Sequence, residues 1–325
     1  MSDDELWSIG RLAERAGTTV KTVRFYSDRG LLPEAARSTG GHRRYDPAAL
    51  DRLRLIRDLR ALDLTVPQVH HVLTDQDGGA ETGGALEDAL AGRLSALGSQ
   101  LTALRWRETA LRLVLDCPPG ERPDRLRLVG ALPLPPSTAA PARFWRGWLP
   151  PRTPERIVSA FLAQAVPQPP ADPTPEQALA FARLHALTAR PCAGGTRPQP
   201  DVHRAAGARG ATVLYAGLAE AYELAGARMR RGRAPHPGEA LDAFAAAYAE
   251  AYGTPDTPRF RRLLAGRLTA DPRLERYWEL AARVATPPGA RPDPTPGTAH
   301  DWLRAALDAQ LTAPAPGVPR TAPPA

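Results

Sequence analysis

A short arginine-rich segment, RSTGGHRRY between Arg37 and Tyr45, holds the side chains best suited to bind phosphate groups. It contains three arginines and a histidine but no acidic residue, so it is strongly positive. Gly40 and Gly41 permit a tight turn through which the backbone can approach a phosphate. Guanidinium groups pair with phosphate oxygens through two parallel hydrogen bonds. We expect this segment to contact a nucleic-acid backbone; the alternative is a solvated charged loop.

Three hydrogen-bonding side chains fall at the start of a predicted second helix. Ser8 is a good N-cap for a first helix, and Gly17 supplies its stop. A helix, a glycine-containing turn and a further helix form a helix-turn-helix motif. The N-terminal residues of its second helix reach base edges in the major groove. In this chain those residues are Thr19, Lys21 and Thr22.

Overall charge adds little to this interpretation. The chain has a net charge of +7 and Lys21 is its only lysine, so arginine supplies nearly all of the positive charge. Abundant arginine, alanine, proline and glycine are typical of a GC-rich genome. Residues 1–74 carry 12 basic and 10 acidic side chains. The local arrangement, and not the net charge, therefore carries the DNA-binding prediction.

The segment from Trp7 to Leu73 resembles the winged helix-turn-helix domain of MerR-type transcription regulators. The elements RFYSDRGLL and GGHRRY both stand at the separation typical of that family. The resemblance implies a DNA-binding domain over residues 1–75. Helices predicted at Pro47–Leu62 and Val66–Leu73 complete it.

The resemblance also implies roles for single residues. Arg24 and Tyr26 correspond to family positions that contact the DNA backbone, and Arg43 and Tyr45 correspond to phosphate contacts of the wing. His42 stands where the family often has tyrosine. The residues predicted to contact DNA are therefore Thr19, Lys21, Thr22, Arg24, Tyr26, Arg37, His42, Arg43, Arg44 and Tyr45.

Two positions depart from the family pattern. Ser27 replaces the usual glutamate after Tyr26, and Asp63 replaces the usual glycine before the second wing helix. We interpret both departures as structural and not as functional.

A long leucine-periodic segment over residues 80–117 predicts a coiled coil. Its apolar positions step alternately by four and three residues, interrupted once by Glu108. A helix packed on its own domain is the alternative. The MerR resemblance favours an antiparallel coiled coil that joins two copies in a homodimer, which implies a pseudo-palindromic DNA site. The predicted seam residues are Leu90, Leu94, Leu97, Leu101, Leu104, Leu111 and Leu115.

The rest of the chain predicts a mainly all-α fold. Residues 118–143 form a proline-rich linker, residues 144–312 show about seven helical patterns, and residues 313–325 form a disordered tail. Thr174 and Gln177 form a capping box, and Asp271 precedes a proline at a helix start. No run of 18 apolar residues occurs, so we expect a cytoplasmic, nucleoid-associated protein without a membrane partner.

Aromatic residues concentrate in residues 144–312, which predicts a small-molecule effector site. The stretch from Ala243 to Leu311 resembles the TipAS-type drug-binding domain through YGTPDTPRFRRLL, LTADPRLERYWEL and HDWLRAALDAQL. Some such domains carry a capturing cysteine where this chain has Asp256, so the resemblance does not imply covalent capture. Each aromatic taken singly is more often a core residue. The predicted ligand-binding residues are Trp145, Trp148, Tyr215, Tyr222, Tyr248, Tyr252, Asp256, Tyr277 and Trp278.

Three alternatives to a drug-like effector are metal sensing, cobalamin binding and a fused enzyme or drug-sequestering protein. Metal-sensing MerR proteins need several thiolates, whereas Cys117 stands alone at the end of the long helix. Asp201-Val202-His203 resembles the D-x-H motif of cobalamin-binding light sensors, but a helical pattern follows it. An enzyme or drug-sequestering protein fused to a DNA-binding head is a further alternative, although no P-loop, dinucleotide fingerprint or HExxH occurs. We therefore predict no cofactor, no metal and no enzymatic activity.

The family resemblance implies the mechanism of regulation. Such a dimer binds an over-long promoter spacer and distorts the DNA when effector binds, so that RNA polymerase engages both promoter hexamers. The predicted partners are double-stranded promoter DNA, RNA polymerase, a second copy of the chain and a small-molecule effector.

Overall fold

A computed structural model describes residues 5–77, 84–150, 153–189, 201–268 and 271–312, with the backbone alone for 201–209. The chain divides into two compact units, an N-terminal unit, Met1–Gln100, and a C-terminal unit, Leu101–Ala325. The described residues form fourteen α-helices and one three-stranded sheet. The prediction of a mainly helical fold with a winged helix-turn-helix domain is confirmed.

The N-terminal unit begins with the predicted helix-turn-helix. The hydroxyl of Ser8 caps the first helix by accepting from the Arg11 amide at 3.2 Å, and Thr19 caps the second by accepting from the Thr22 amide at 3.1 Å. Gly17 lies between them in the left-handed region at φ 59°. The elements are β1 (Trp7–Ser8), α1 (Ile9–Arg15), α2 (Val20–Asp28), β2 (Ala36–Arg37), β3 (Arg43–Tyr45), α3 (Ala49–Ala61), α4 (Val66–Asp77) and the first part of α5 (Ala85–Leu115).

The sheet of this unit has the order β1-β3-β2 with antiparallel pairing, and Tyr45 of β3 is paired with Trp7 of β1. Leu12, Val23 and Ile56 form part of the core beneath it and are completely buried. The sheet and core together fix the position of the segment between β2 and β3, which is the predicted phosphate-binding loop.

Asp63, one of the two departures from the family pattern, lies in the turn between α3 and α4. It is the only non-glycine residue with a positive φ among the described residues, at 60°. Aspartate tolerates this left-handed conformation better than most residues because its short side chain can hydrogen-bond locally. Its carboxylate forms an ion pair with Arg93 of α5 at 2.7 Å. Asp63 therefore connects the turn between α3 and α4 to the long helix α5.

The helix α5 is continuous over 31 residues and has two apolar faces. One face carries the predicted leucine seam. The other carries Trp106, Thr109 and Leu113, which are buried in the C-terminal unit, as is Cys117 just after the helix. Trp106 donates from its indole nitrogen to the Pro170 carbonyl at 2.8 Å. The sequence patterns did not predict this second apolar face of α5.

The C-terminal unit is built from α-helices. A 3-10 turn at Pro119–Glu121 precedes α6 (Arg122–Gly130), α7 (Ala139–Trp148), α8 (Glu155–Ala165), α9 (Pro175–Ala189), α10 (Asp201–Arg230), α11 (Glu239–Ala251), α12 (Pro258–Arg267), α13 (Pro272–Ala285) and α14 (Pro296–Thr312). Seven of these helices, α8 to α14, lie wholly within residues 144–312, as the sequence patterns predicted. None of the helices in the described ranges is long and apolar enough to cross a membrane.

Residues 118–143 differ from the predicted proline-rich linker. They contain the 3-10 turn, α6 and the start of α7, and Val129 and Leu132 pack against the core of the C-terminal unit. Prolines at the first turn of a helix are compatible with helical geometry, because the amide hydrogen that they lack has no partner there. Pro119 and Pro123 stand at such starts, whereas Pro133, Pro135 and Pro136 lie in the connection between α6 and α7.

Local hydrogen bonds confirm the predicted helix starts in this unit. The Thr174 hydroxyl accepts from the Gln177 amide at 3.2 Å, while the Gln177 side-chain oxygen accepts from the Thr174 amide at 3.0 Å. Asp271 accepts from the Arg273 amide at 2.8 Å. The core of the unit divides into two clusters: one is centred on α10, α11 and α14, and the other on α7, α9 and α13.

Candidate nucleic-acid interface and cavities

The first turn of α2 presents hydrogen-bonding and basic side chains to solvent. Lys21 and Arg24 are exposed, and among the described residues neither forms an ion pair. The hydroxyls of Thr19 and Thr22 lie 2.9 Å apart and hydrogen-bond to each other. Thr19 also caps the helix, so its hydroxyl is already engaged. Lys21 and Arg24 are therefore the side chains of this turn with the most freedom to bind a ligand.

The loop between β2 and β3 is a hairpin with a defined turn. The Ser38 amide donates to the His42 carbonyl at 2.8 Å, and the His42 amide donates to the Ser38 hydroxyl at 3.1 Å. Gly41 lies in the left-handed region at φ 78°, where a side chain would be strained. His42 is exposed at the tip. The hairpin projects as a wing, as the family resemblance implies.

The arginines of the wing are held by acidic residues that the sequence analysis did not single out. Arg43 forms ion pairs with Asp28 at 2.6 Å and with Glu34 at 3.2 Å, and Arg37 pairs with Glu34 at 2.8 Å. The hydrogen bond and the charge of Asp28 raise the pKa of Arg43 above its ordinary value. Asp28 and Glu34 thus fix the wing arginines in place. The sequence offered a signal for Glu34, which stands three residues before the basic segment, but none for Asp28 at the end of α2.

Two predicted contact residues, Tyr45 and Tyr26, are mostly or wholly inside the N-terminal unit. Tyr45 is 0% exposed, so its ring packs in the core and its hydroxyl does not face solvent. The side chain of Tyr45 is inaccessible to a phosphate in this conformation, and its contact with DNA stays a prediction. Tyr26 is also buried, on the inner side of α2. Arg44, which follows Arg43, is half-buried.

The leucines of the predicted seam are exposed along one face of α5. Leu90 is half-buried, and the other six are between 38% and 72% exposed. Large apolar side chains that line one helix face in this way are usually covered by a partner. The six exposed residues are Leu94, Leu97, Leu101, Leu104, Leu111 and Leu115.

The structure does not bring the predicted ligand-binding residues together around one cavity. Trp145, Tyr277 and Trp278 pack in the α7, α9 and α13 cluster, with Trp148 at its edge. Tyr248, with Tyr222 and Tyr252 against it, belongs to the other cluster. Tyr215 contacts Phe161 with ring centroids 5.4 Å apart. These aromatics are core residues, and of the nine predicted residues only Tyr222 lines either of the two cavities described below.

Asp256, the residue at the position of the capturing cysteine, belongs to a charge cluster. Arg261 forms ion pairs with Asp256 at 2.6 Å and with Asp242 at 2.8 Å, and it donates to Gln310 at 2.9 Å. The hydrogen bonds to Asp256 raise the pKa of Arg261. Arg261 therefore joins α12 to α11 through Asp242 and to the preceding turn through Asp256, and we assign Asp256 no contact with a ligand.

Two adjoining cavities open in the C-terminal unit. The Tyr222 cavity has a volume of about 570 Å³ and is lined by Tyr222, Glu223 and Arg230 among others. The Arg183 cavity has a volume of about 540 Å³ and is lined by Arg183 and Arg283 among others. Both include residues of the segment 286–290 in their walls. Their volumes lie in the range of small-molecule sites.

A half-buried hydrogen-bonded pair lies beside the Tyr222 cavity. The Tyr222 hydroxyl and the His300 Nδ1 lie 3.0 Å apart, and the His300 ring packs edge-on against Phe244. Burial, assisted by the positive charge of Arg304, lowers the pKa of His300 from 6.5 to about 4. The imidazole is therefore neutral in the folded protein at neutral pH.

We expect His300 to make the stability of the C-terminal unit depend on pH. Between pH 6.5 and pH 4 the unfolded chain binds a proton that the folded chain does not, so the free energy of unfolding falls as the pH falls. The loss reaches about 3 kcal/mol. Denaturation of wild type and of His300→Asn, whose amide can accept from Tyr222 without titrating, measures it. An equal pH slope in both proteins would contradict the assignment.

The structure describes some, but not all, of the residues of the two alternative effector sites, the metal site at Cys117 and the cobalamin motif at Asp201-Val202-His203. The Cys117 thiol is buried and donates to the Val114 carbonyl at 3.3 Å. Among the described residues no group of three His, Cys, Asp or Glu side chains could hold a metal ion. The backbone of the Asp201-Val202-His203 motif forms the start of α10. The side chain of His203 and the predicted tail at 313–325 lie outside the described residues.

Comparisons with known proteins match the N-terminal part of the chain. Residues 7–76 match the family model described as MerR HTH family regulatory protein. The chain is 40% identical over 67 residues to nodulation protein NolA of Bradyrhizobium elkanii, which covers 21% of this chain and 31% of NolA. It is 45% identical over 69 residues to the HTH-type transcriptional activator TipA of Streptomyces coelicolor, which covers 21% of this chain and 27% of TipA.

A third relative is matched over most of its length. The mercuric resistance operon regulatory protein of Serratia marcescens is 33% identical over 112 residues, which covers 34% of this chain and 76% of that protein. By contrast, the match spans about a third or less of NolA and of TipA.

Proposed function

The chain belongs to the MerR family of helix-turn-helix regulatory proteins, and on that basis we propose that it is a dimeric, ligand-responsive transcription regulator. It binds promoter DNA in a sequence-specific manner through its N-terminal unit and a small molecule through its C-terminal unit. The protein acts on the nucleoid in the cytoplasm, and it acts as a regulator and not as an enzyme.

The observation that carries DNA binding is the exposed start of α2. Lys21 and Arg24 lie there without carboxylate partners among the described residues, beside a wing whose tip exposes His42. A helix of this kind enters the major groove with its N-terminal residues at the base edges, while the wing contacts the backbone. Lys21 is suited to read base edges, and Arg24 to bind a phosphate.

Replacing Arg24 with alanine should weaken binding to all DNA sequences about equally and lower the salt slope by roughly one unit. Lys21→Ala should instead relax the preference for the operator over other DNA, since base contacts carry the sequence information. Arg262→Ala, which removes the same charge from an exposed site in the C-terminal unit, is the matched control. Gel-shift titrations at several salt concentrations measure both effects. Unchanged slopes in Arg24→Ala would refute the assignment.

The exposed leucine face of α5 supports a homodimer. A second copy of the same helix supplies a face of the same pattern, and the family resemblance implies an antiparallel pairing. Two copies related by a two-fold axis present two α2 helices to two half-sites of a pseudo-palindrome. The dimer is therefore the DNA-binding species.

The cavities of the C-terminal unit support a small-molecule effector. Their volumes of about 570 and 540 Å³ suit a drug-sized compound, and the TipAS-type resemblance of residues 243–311 favours the same class. Effector binding shifts the dimer to the conformation that distorts the promoter spacer, so that RNA polymerase can engage it. A tenfold preference of the effector for that conformation corresponds to about 1.4 kcal/mol.

A further inference from the structure

Four arginines from three helices of the C-terminal unit lie close enough to interact electrostatically. They are Arg125 of α6, Arg183 of α9, and Arg276 and Arg283 of α13. Helix α9 packs against both α6 and α13. Burial lowers the pKa of Arg183, the positive charges of the other three arginines lower it further, and the negative charge of Glu121 offsets part of this effect. Arg183 is thus half-buried among like charges.

Two carboxylates, Glu121 and Glu279, pair with the other three arginines, and none of the described carboxylates pairs with Arg183. Arg125 pairs with Glu121 at 3.1 Å, while Arg283 pairs with Glu279 at 2.6 Å and Arg276 pairs with the same carboxylate. Among the described residues no carboxylate lies within ion-pair distance of Arg183. A half-buried arginine without a counter-charge is costly unless a ligand supplies the charge.

Arg183 and Arg283 line the Arg183 cavity. Glu176 is the only carboxylate among the described lining residues, and it lies two helical turns before Arg183, about 10 Å along α9. The apolar part of the lining comes from Leu179 and Ala180, which lie one turn before Arg183 on the same face of α9, and from the prolines of segment 287–292. The cavity therefore combines a positive end with an apolar wall.

The backbone around the cavity is held in place by Gln177. Its buried side-chain amide donates to the carbonyls of Val284 at 3.2 Å and Thr286 at 2.9 Å. Its oxygen accepts from the Thr174 amide in the capping box. These bonds join the start of α9 to the end of α13, so the cavity is formed before any ligand binds. A preformed site binds more tightly because less freedom is lost on binding.

We propose that the Arg183 cavity binds a small organic anion, in which a carboxylate, sulfonate or phosphate group pairs with Arg183 and Arg283 and an apolar body lies against the proline wall. This inference rests on the proposed function, since it names the chemical class of the effector. An anionic group supplies the counter-charge that Arg183 lacks, and the volume of the cavity leaves room for the rest of the molecule.

The test compares two fluorescent probes on the full-length protein. Anilinonaphthalene sulfonate carries an anionic group, and phenylnaphthylamine has the same aromatic body without it. Arg183→Gln should weaken binding of the sulfonate probe by roughly tenfold or more, as expected for a charge-assisted pair. It should leave the uncharged probe within about twofold. Arg183→Lys, which keeps the charge, should retain part of the affinity.

Arg127→Gln is the matched control, because Arg127 is an exposed arginine of α6 that pairs with Asp124. It should leave both probes unchanged. Arg183→Gln should unfold at the same or a higher temperature than wild type in low salt, since it removes repulsion among the arginines; a purely structural role predicts a lower temperature. Should Arg183→Gln fail to fold, Arg283→Gln tests the same site. Equal affinity of the sulfonate probe for wild type and the folded variant would overturn the proposal.

Operator binding with and without the sulfonate probe separates this inference from the proposed function. A probe that needs Arg183 and also changes the operator affinity of wild type supports both. A probe that needs Arg183 but leaves operator affinity unchanged supports the anion site and contradicts its effector role. If the sulfonate probe binds wild type and Arg183→Gln equally well, the proposal of an anion site is wrong, whereas the proposal that the N-terminal unit binds DNA is unaffected.

Discussion

Replacing Leu97 and Leu104 together with aspartate should convert the dimer into monomers and abolish operator binding at the concentrations where wild type binds. Both side chains lie on the exposed leucine face of α5. In a paired helix each aspartate would bury an unpaired carboxylate, which costs several kcal/mol. A monomer offers only one α2 to the DNA and loses the contribution of the second half-site.

Ser95→Asp with Ser99→Asp is the matched control for this prediction. Both serines are exposed on α5, and at 100° per residue they lie on the side of the helix away from the leucines. The control adds the same two charges to the same helix and should leave the dimer intact. Light scattering on both double variants measures the oligomeric state, and gel shifts measure operator binding. If the leucine variant stays dimeric, the main interface lies elsewhere.

Trp106→Ala should lower the free energy of unfolding of the C-terminal unit by about 3–5 kcal/mol, as for a large aromatic removed from a packed core. Trp106 is 1% exposed and packs edge-on against Phe181 with centroids 5.3 Å apart. Truncation also leaves the Pro170 carbonyl without its indole donor. The second apolar face of α5 would lose its largest side chain.

Trp106→Phe separates packing from the hydrogen bond. It keeps an aromatic ring and loses the donor, so the expected loss is about 1–2 kcal/mol. Denaturant unfolding followed by circular dichroism measures both variants, and the transition of the N-terminal unit serves as the internal reference. A loss below about 1 kcal/mol in Trp106→Ala would show that this face of α5 is not a core face.

Features decided by neighbouring residues were predictable from the sequence. Ser8, Thr174 and Asp271 cap helices as expected, because a capping side chain bonds to amides two or three residues away. The heptad spacing likewise predicted one continuous helix over most of 80–117. The positive φ of Asp63 agrees with the glycine usual at that position in the family.

Features decided by distant partners were not predictable in this way. The burial of Trp106 depends on Pro170, and the buried amide of Gln177 depends on Val284 and Thr286, more than a hundred residues away. Periodicity identifies an apolar face but not the segment that covers it. For the same reason the aromatics of residues 144–312 were expected around one cavity, whereas they fill two core clusters. The clue to Arg183 was an arginine within the apolar stretch ALAFARL of α9.

The exposed position of Lys21 has a practical consequence. Because it is the only lysine among 325 residues, the chain has a single side-chain amine, and that amine lies on the helix proposed to read DNA. Acylating reagents, which attach a neutral group to amines, therefore label one side chain, that of Lys21, besides the α-amine of the chain. After proteolysis, the labelled fraction of the peptide that contains Lys21 reports the accessibility of α2 with no mutation. Acetylation of this residue in a cell would remove the charge of the same site.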